Sequence, residues 1–172
     1  MLILETERVV LREFVAEDAS ALARILSDPE TMRYYPAPFD HEGVVAWIDR
    51  NLRRYQKDSH GLWAMILKAS AELVGDCGIS MQEVEGAWYR EIGYHVRRDL
   101  WGQGLAIEAA RACRDYGFAK LGAEMLISII RPDNLPSRRV AEKNGMTLWK
   151  TCEYRGLPHC IYRIEKPGSG SI

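Results

Sequence analysis

The chain has 172 residues, with 23 Lys and Arg against 24 Asp and Glu and a formal net charge of −1. Apolar residues make up 47% and charged residues 27%, an ordinary globular composition with enough length to bury a core without staples. Near-neutral charge without a long basic run excludes a general nucleic-acid coat, and no apolar stretch reaches the ~18 residues of a membrane-spanning helix.

The opening run Met1 to Glu7 lacks a basic start and reaches acidic residues early, so no secretion signal is expected. Cys77, Cys113, Cys152 and Cys160 are scattered and form no C-x-x-C pair. They predict reduced thiols in a cytoplasmic protein, not a zinc knuckle or a redox dithiol. His41, His60, His95 and His159 lie in separate elements without metal-ligand spacing, so no metal is expected.

In chain order, Val9 to Phe14 reads as a first strand. Ala16 to Leu26 follows as a helix that ends at Asp28-Pro29. Asp40 caps a second helix, whose Val44, Trp47, Ile48, Leu52 and Tyr55 recur at helical spacing. Leu62 to Leu67, Glu72 to Met81 and Ala87 to Val96 read as three strands. Residues 103–120 give the clearest helix. Met125 to Ile130 has the continuous apolar pattern of a strand buried on both faces. A short helix covers Ser137 to Lys143 and stops at Asn144-Gly145, and Thr147 to Tyr154 with Cys160 to Ile164 forms a closing hairpin. The order predicts an α+β (mixed α/β) domain over residues 1–166, with about seven strands in a mostly antiparallel sheet and about four helices. Residues 167–172, rich in Gly and Ser, are expected to be a flexible tail.

Two segments carry chemical signals. Gly102, Gly104 and Ala106 crowd the turn where the long helix begins. Small residues there let an anion reach the free amides and the positive end of the helix dipole. A tight turn that needs glycine for its φ angles explains the spacing equally well. Ile107 stands where a dinucleotide fingerprint needs a small residue, and no Gly-Lys-Ser/Thr follows Gly104. In the second segment, Asn134 and Ser137 open the short helix, where capping is the commonest role of such residues. Arg138, Arg139 and Lys143 follow; with Arg97 and Arg98 they make a positive region, although at least one of the three belongs to a solvated face.

Together these segments resemble the GNAT superfamily of acyl-CoA-dependent N-acetyltransferases, and within it the RimJ/RimL-like branch of ribosomal-protein N-terminal acetyltransferases. Four collinear stretches carry the resemblance: Glu5 to Arg12, Glu91 to Val96, Trp101 to Ala106, and Asn134-x-x-Ser137 leading to Glu142 to Met146. The superfamily loop begins with Gln or Arg; Trp101 stands there, which removes one polar phosphate contact and suits the branch.

The resemblance implies a sheet whose fourth and fifth strands splay apart. Acetyl-CoA would lie in the gap, its pantetheine arm pairing with backbone near His95 and Val96 and its pyrophosphate resting on the amides of Gly102, Gln103, Gly104, Leu105, Ala106 and Ile107. Arg97, Asn134, Arg138 and Lys143 are the further cofactor contacts expected. Ser137 is the candidate acid that protonates the leaving thiolate. Glu91 is the candidate base, with an ammonium anchor or a strand-surface carboxylate as equal alternatives. Tyr34 and Tyr35 are candidate acceptor contacts, while Trp47 fits the helix–sheet core better.

The implied reaction is direct attack of a primary amine on acetyl-CoA, without an acyl-enzyme. The partners are acetyl-CoA and the acceptor, with no nucleic acid or membrane, and a homodimer is possible. An α-amine with a pKa of about 8 needs only a weak base, whereas a lysine amine near 10.4 costs roughly 3–4 kcal/mol more to deprotonate. The alternatives are a non-catalytic acyl-CoA sensor on the same fold and, more weakly, a dinucleotide-binding protein.

Overall fold

The computed structural model describes residues 1–168. Two short strands, β1 (Leu2–Glu5) and β2 (Val9–Arg12), open the chain and are followed by two helices, α1 (Ala19–Leu26) and α2 (His41–Asp58). Then come β3 (Leu62–Leu67), β4 (Glu72–Val84), β5 (Ala87–Val96), α3 (Leu105–Ala119), β6 (Met125–Ile130), α4 (Leu135–Lys143), β7 (Thr147–Tyr154) and β8 (Leu157–Glu165). The fold is α+β. Its 8-stranded sheet has the order β1-β2-β3-β4-β5-β6-β8-β7. The flexible tail expected from Pro167 falls mainly on residues 169–172, which lie outside the described residues.

The strand absent from the sequence reading is β1. It has four residues at the sheet edge and only its middle two are half-buried, so it carries too little period-two contrast to be seen. It also moves the expected fourth and fifth strands to β5 and β6.

Helices cover both faces of the sheet. α3 packs Leu105, Ala109 and Cys113 against Trp63, Ile79 and Leu126 on one face. α1 and α2 pack Leu22, Ile25, Val44 and Ile48 with Phe14 and Ala64 on the other. The expected cap is present, with Asp40 Oδ1 accepting the Gly43 N–H at 2.8 Å. The fully buried Asn51 ties α2 to β3: its amide donates to the Trp47 carbonyl and its Oδ1 accepts the Leu62 N–H at 2.9 Å.

β4 approaches its neighbours unusually closely. A Cβ on Gly78 would lie 2.1 Å from the Gly61 carbonyl oxygen, which is backbone and cannot swing away. Gly78→Ala is therefore expected to cost about 3 kcal/mol through overpacking. Urea denaturation checks this, and a loss under about 0.5 kcal/mol, the size of an inconsequential surface change, would contradict the packing.

The feature that positions the site is the seam between β5 and β6. This pair is parallel, its neighbours are antiparallel, and Glu91 with Ile127 is its register pair. Ser128 Oγ then donates to the Ile92 carbonyl at 2.8 Å, the last stitch before the strands part. On its other side β5 stays paired with β4 as far as Val96.

Candidate active site

The gap beyond Ile92 opens into a groove of about 500 Å³. Arg97 donates its N–H to Val74, and the His95 carbonyl faces Gly75. By strand alternation, the backbone groups of Tyr94 and Val96 therefore face the groove. The Trp101 indole donates to the Val96 carbonyl at 2.7 Å, so that acceptor is already used. This narrows the backbone available to an incoming chain to Tyr94 and the Val96 N–H.

The floor of the groove is the loop before α3. Gly102 and Gly104 adopt φ angles of 75° and 80°, which favour glycine, and a Cβ on Gly102 would point into open space. Gly104 is the N-cap, and Glu108 is the first residue to donate back to it, at 3.1 Å. The amides of Leu105, Ala106 and Ile107 are left without intrahelical partners at the positive end of a 15-residue helix. The conformational and anion-binding explanations of these glycines thus describe one geometry.

The sequence did not single out Arg8, which straps this loop from β2's edge. Its Nε donates to Glu108 Oε2 at 2.7 Å and one terminal nitrogen donates to the Gln103 carbonyl at 2.8 Å. The Glu108 carboxyl, hydrogen-bonded by Thr6 as well, is held below its ordinary value although partial burial opposes this.

Helix α4 forms the opposite wall. Asn134 is its N-cap and accepts the Ser137 N–H at 3.2 Å. The capping role therefore belongs to Asn134, and Ser137 sits one turn inside the helix on the groove wall. The Tyr94 hydroxyl donates to the Ser137 carbonyl at 2.9 Å and fixes that turn against β5.

Four expected contacts do not line the groove. Arg138 turns away: its Nε donates to the Tyr162 hydroxyl at 2.9 Å and another nitrogen to the Pro132 carbonyl. Arg139 takes its place, one helical turn before Lys143 on the same face. The Arg97 guanidinium is paired with Asp99 at 2.7 Å and faces Glu72. Gln103 presents its carbonyl to Arg8 and also lies off the groove wall.

Glu91 is the fourth. Its carboxylate is half-buried, with the Ser80 hydroxyl 3.5 Å from Oε2. Burial raises its pKa, against the lowering effects of the Ile129 backbone N–H, Gln82, Arg54 and Arg155. A second cavity of about 540 Å³ opens on that side, lined by Arg54 of α2 and by Tyr154 and Arg155 of the last hairpin. These three residues were not legible as site residues, because none carries a motif.

Tyr34 and Tyr35 both line the groove, beside His95. Trp47 lies in the helix–sheet core, as its helical position suggested, and also donates its indole N–H to the fully buried Asp76 at 2.9 Å. His95 Nδ1 lies 2.7 Å from the other Asp76 oxygen, and its Nε2 lies 2.7 Å from the Tyr35 hydroxyl. The buried Cys77 and Cys113 thiols sit 3.6 Å apart in the core, and burial pushes the Cys77 thiol well up.

Comparison with known proteins agrees with this geometry. The profile of the acetyltransferase (GNAT) domain matches residues 8–147. The chain is 38% identical over 160 residues to the uncharacterized protein YkkB of Bacillus subtilis (strain 168), covering 92% of this chain and 93% of that one. The crystal structure of an acetyltransferase from Agrobacterium tumefaciens str. C58 superimposes with a TM-score of 0.83 at 28% identity, over 95% of this chain and 94% of that one. RimL, a ribosomal L7/L12 alpha-N-protein acetyltransferase solved with coenzyme A, shares the fold at 19% identity, with a TM-score of 0.72 over 96% of this chain and 98% of that one. The split sheet, the open helix N-terminus beside it and the match over most of the chain place this protein in the GNAT family of acetyltransferases, as an acyltransferase.

Proposed function

We propose that the enzyme transfers an acetyl group from acetyl-CoA directly to a primary amine, either a peptide N-terminus or a small-molecule amine. The observation that carries this reading is the groove itself. One continuous space runs from three unpartnered amides at the start of α3 to the parted backbone of β5.

The residues present suit the donor. The amides of Leu105, Ala106 and Ile107 would hold the pyrophosphate, with Gly102 and Gly104 keeping the approach open. Arg139 and Lys143 of α4 supply positive charge on the groove wall. Asn134 lies at the same wall. Tyr94 and the Val96 N–H would pair with the pantetheine amides as an added strand does.

The acceptor would enter from the side of Arg54 and the last hairpin, with Tyr34 and Tyr35 bordering its reacting end. Ser137 would protonate the departing CoA thiolate. No acyl-enzyme is needed, and the buried pair Cys77 and Cys113 lies in the core away from any such role.

Glu91 suits the anchor role better than the base role, because it does not line the groove and its carboxylate feels Arg54 and Arg155 of the second cavity. Glu91→Gln is expected to raise the acceptor KM about tenfold and leave acetyl-CoA affinity unchanged, the signature of lost uniform binding. Steady-state kinetics with pH variation test this. An unchanged KM with a flattened acid limb would return Glu91 to the base role.

A further inference from the structure

We infer that Tyr35, His95 and Asp76 form a proton relay that removes the proton from the attacking amine, with Tyr35 touching the amine and Asp76 acting through His95. The inference rests on the transferase reading above and names the residues that reading leaves open.

Three distant stretches of sequence meet here. Asp76 on β4 is fully buried, His95 on β5 is 8% exposed, and Tyr35, on the loop before α2, is 41% exposed where it borders the groove. Burying a carboxylate is costly unless both of its oxygens are satisfied. Here one oxygen meets His95 Nδ1 at 2.7 Å and the other accepts the Trp47 indole N–H at 2.9 Å. An indole N–H can only donate, so Asp76 is an acceptor on that side.

This wiring assigns the imidazole tautomer. With Asp76 ionised, the proton of a neutral His95 sits on Nδ1 and leaves a lone pair on Nε2. The Tyr35 hydroxyl, 2.7 Å away, then donates to Nε2 and keeps its own lone pairs for the groove. Rings hold the imidazole in place: Tyr35 lies 5.4 Å away between centroids and Trp47 5.8 Å, edge-on.

The proton step balances. As nitrogen bonds to the acetyl carbon and the carbon–sulfur bond breaks, one amine N–H breaks and its proton joins the Tyr35 oxygen. The Tyr35 proton passes to His95 Nε2, and Asp76 neutralises the imidazolium that forms. The departing sulfur takes the electron pair of the broken bond and the Ser137 proton, and after product leaves the reverse shift returns the relay's proton through groove water to Ser137.

Asp76 from β4 and Glu91 from β5 bear on His95. Burial, with Glu91, Asp76 and Tyr154, raises the Tyr35 pKa against the lowering effect of Arg155, so Tyr35 gives up its proton only as it takes the amine's. Burial alone would lower the His95 pKa, but the charge and hydrogen bond of Asp76 outweigh it and the net shift is upward. The base is active when neutral, so activity should fall as pH drops through a value above the ordinary histidine pKa of about 6.5. Glu91 meets the Ser80 hydroxyl instead and does not line the groove.

The test combines two variants with two readouts, using acetyl-CoA and a panel of Ser-, Ala-, Thr- and Met-initiated peptides, free amino acids, polyamines and aminoglycosides. Tyr35→Phe is expected to lower kcat about a hundredfold and leave the acetyl-CoA KM unchanged. Asp76→Asn is expected to lower the His95 pKa, followed by imidazole NMR, and to move the acid limb of kcat/KM by the same amount. Wild-type kcat in Tyr35→Phe, or an acid limb that stays while the His95 titration moves, would overturn the relay alone. A wild-type enzyme that binds acetyl-CoA yet acetylates nothing in the panel would overturn the transferase reading and the relay with it. If Asp76→Asn fails to fold, Tyr35→Phe still decides, since it removes one oxygen from an exposed loop residue.

Discussion

Gly104→Glu is expected to weaken acetyl-CoA binding at least a hundredfold, about 2.7 kcal/mol. Three effects act in one direction. The φ angle of 80° is one that a β-carbon-bearing residue adopts only under strain. The new Cβ would meet the Arg8 guanidinium at 3.4 Å and disturb the strap that holds the loop. The carboxylate would then stand at the open end of α3, where the unpartnered amides would otherwise meet phosphate. Isothermal titration with acetyl-CoA measures the loss, and circular dichroism confirms that the fold survives. Gly104→Ala separates strain from charge and should cost less. Equal affinities for wild type and Gly104→Glu would remove the loop from the cofactor site.

Ser137→Ala is expected to lower kcat up to a hundredfold, with acetyl-CoA affinity unchanged, as general-acid loss does. The size follows from the geometry of α4. Asn134 already caps the helix, and the polar links of Ser137 run through its backbone, to Asn134 and Tyr94. Removing its hydroxyl therefore deletes chemistry without deleting the cap. Single-turnover kinetics at saturating acetyl-CoA isolate this step. Full activity in Ser137→Ala would assign thiolate protonation to solvent.

The α3 loop was legible because its signal is local. Two glycines at a helix start report both the turn and the open amides, and φ angles of 75° and 80° bear that out. The Asp40 cap and the closing hairpin were legible for the same reason, since each needs only a few neighbouring residues. The α4 wall was half legible. The cationic segment was visible, but the choice between Arg138 and Arg139 depends on helix phase. With Lys143 as reference, Arg139 lies one turn back on the same face, whereas Arg138 rotates towards Tyr162. Applying the 3.6-residue period from Lys143 would have selected Arg139.

The rest depended on tertiary pairing. Period-two alternation puts Glu91 and His95 on the same face of β5, yet nothing local indicates that Asp76 lies opposite His95 in the β4 register. Tyr35 reaches His95 across 60 positions, and Arg54 of α2 lines one cavity with Tyr154 and Arg155 of the last hairpin. Arg8 was visible only as part of an opening strand, because its partner Glu108 is 100 residues away. The loop, whose open amides are its own backbone, could be read directly. The second cavity, assembled from side chains on separate elements, could not.

In the proposed reaction a neutral amine attacks the thioester held in this groove. The most direct measurement is chromatography of acetyl-CoA, free CoA and the amine together, across peptides, amino acids, polyamines and aminoglycosides. Direct separation is preferable to a thiol dye, because Cys152 is only partly buried among the free cysteines and would itself react. The predicted result is equal amounts of CoA and N-acetylated product with at least one amine class, and no release when the amine is omitted. Acetyl-CoA that binds but stays intact with every amine, or CoA released without an acetylated product, would contradict the account.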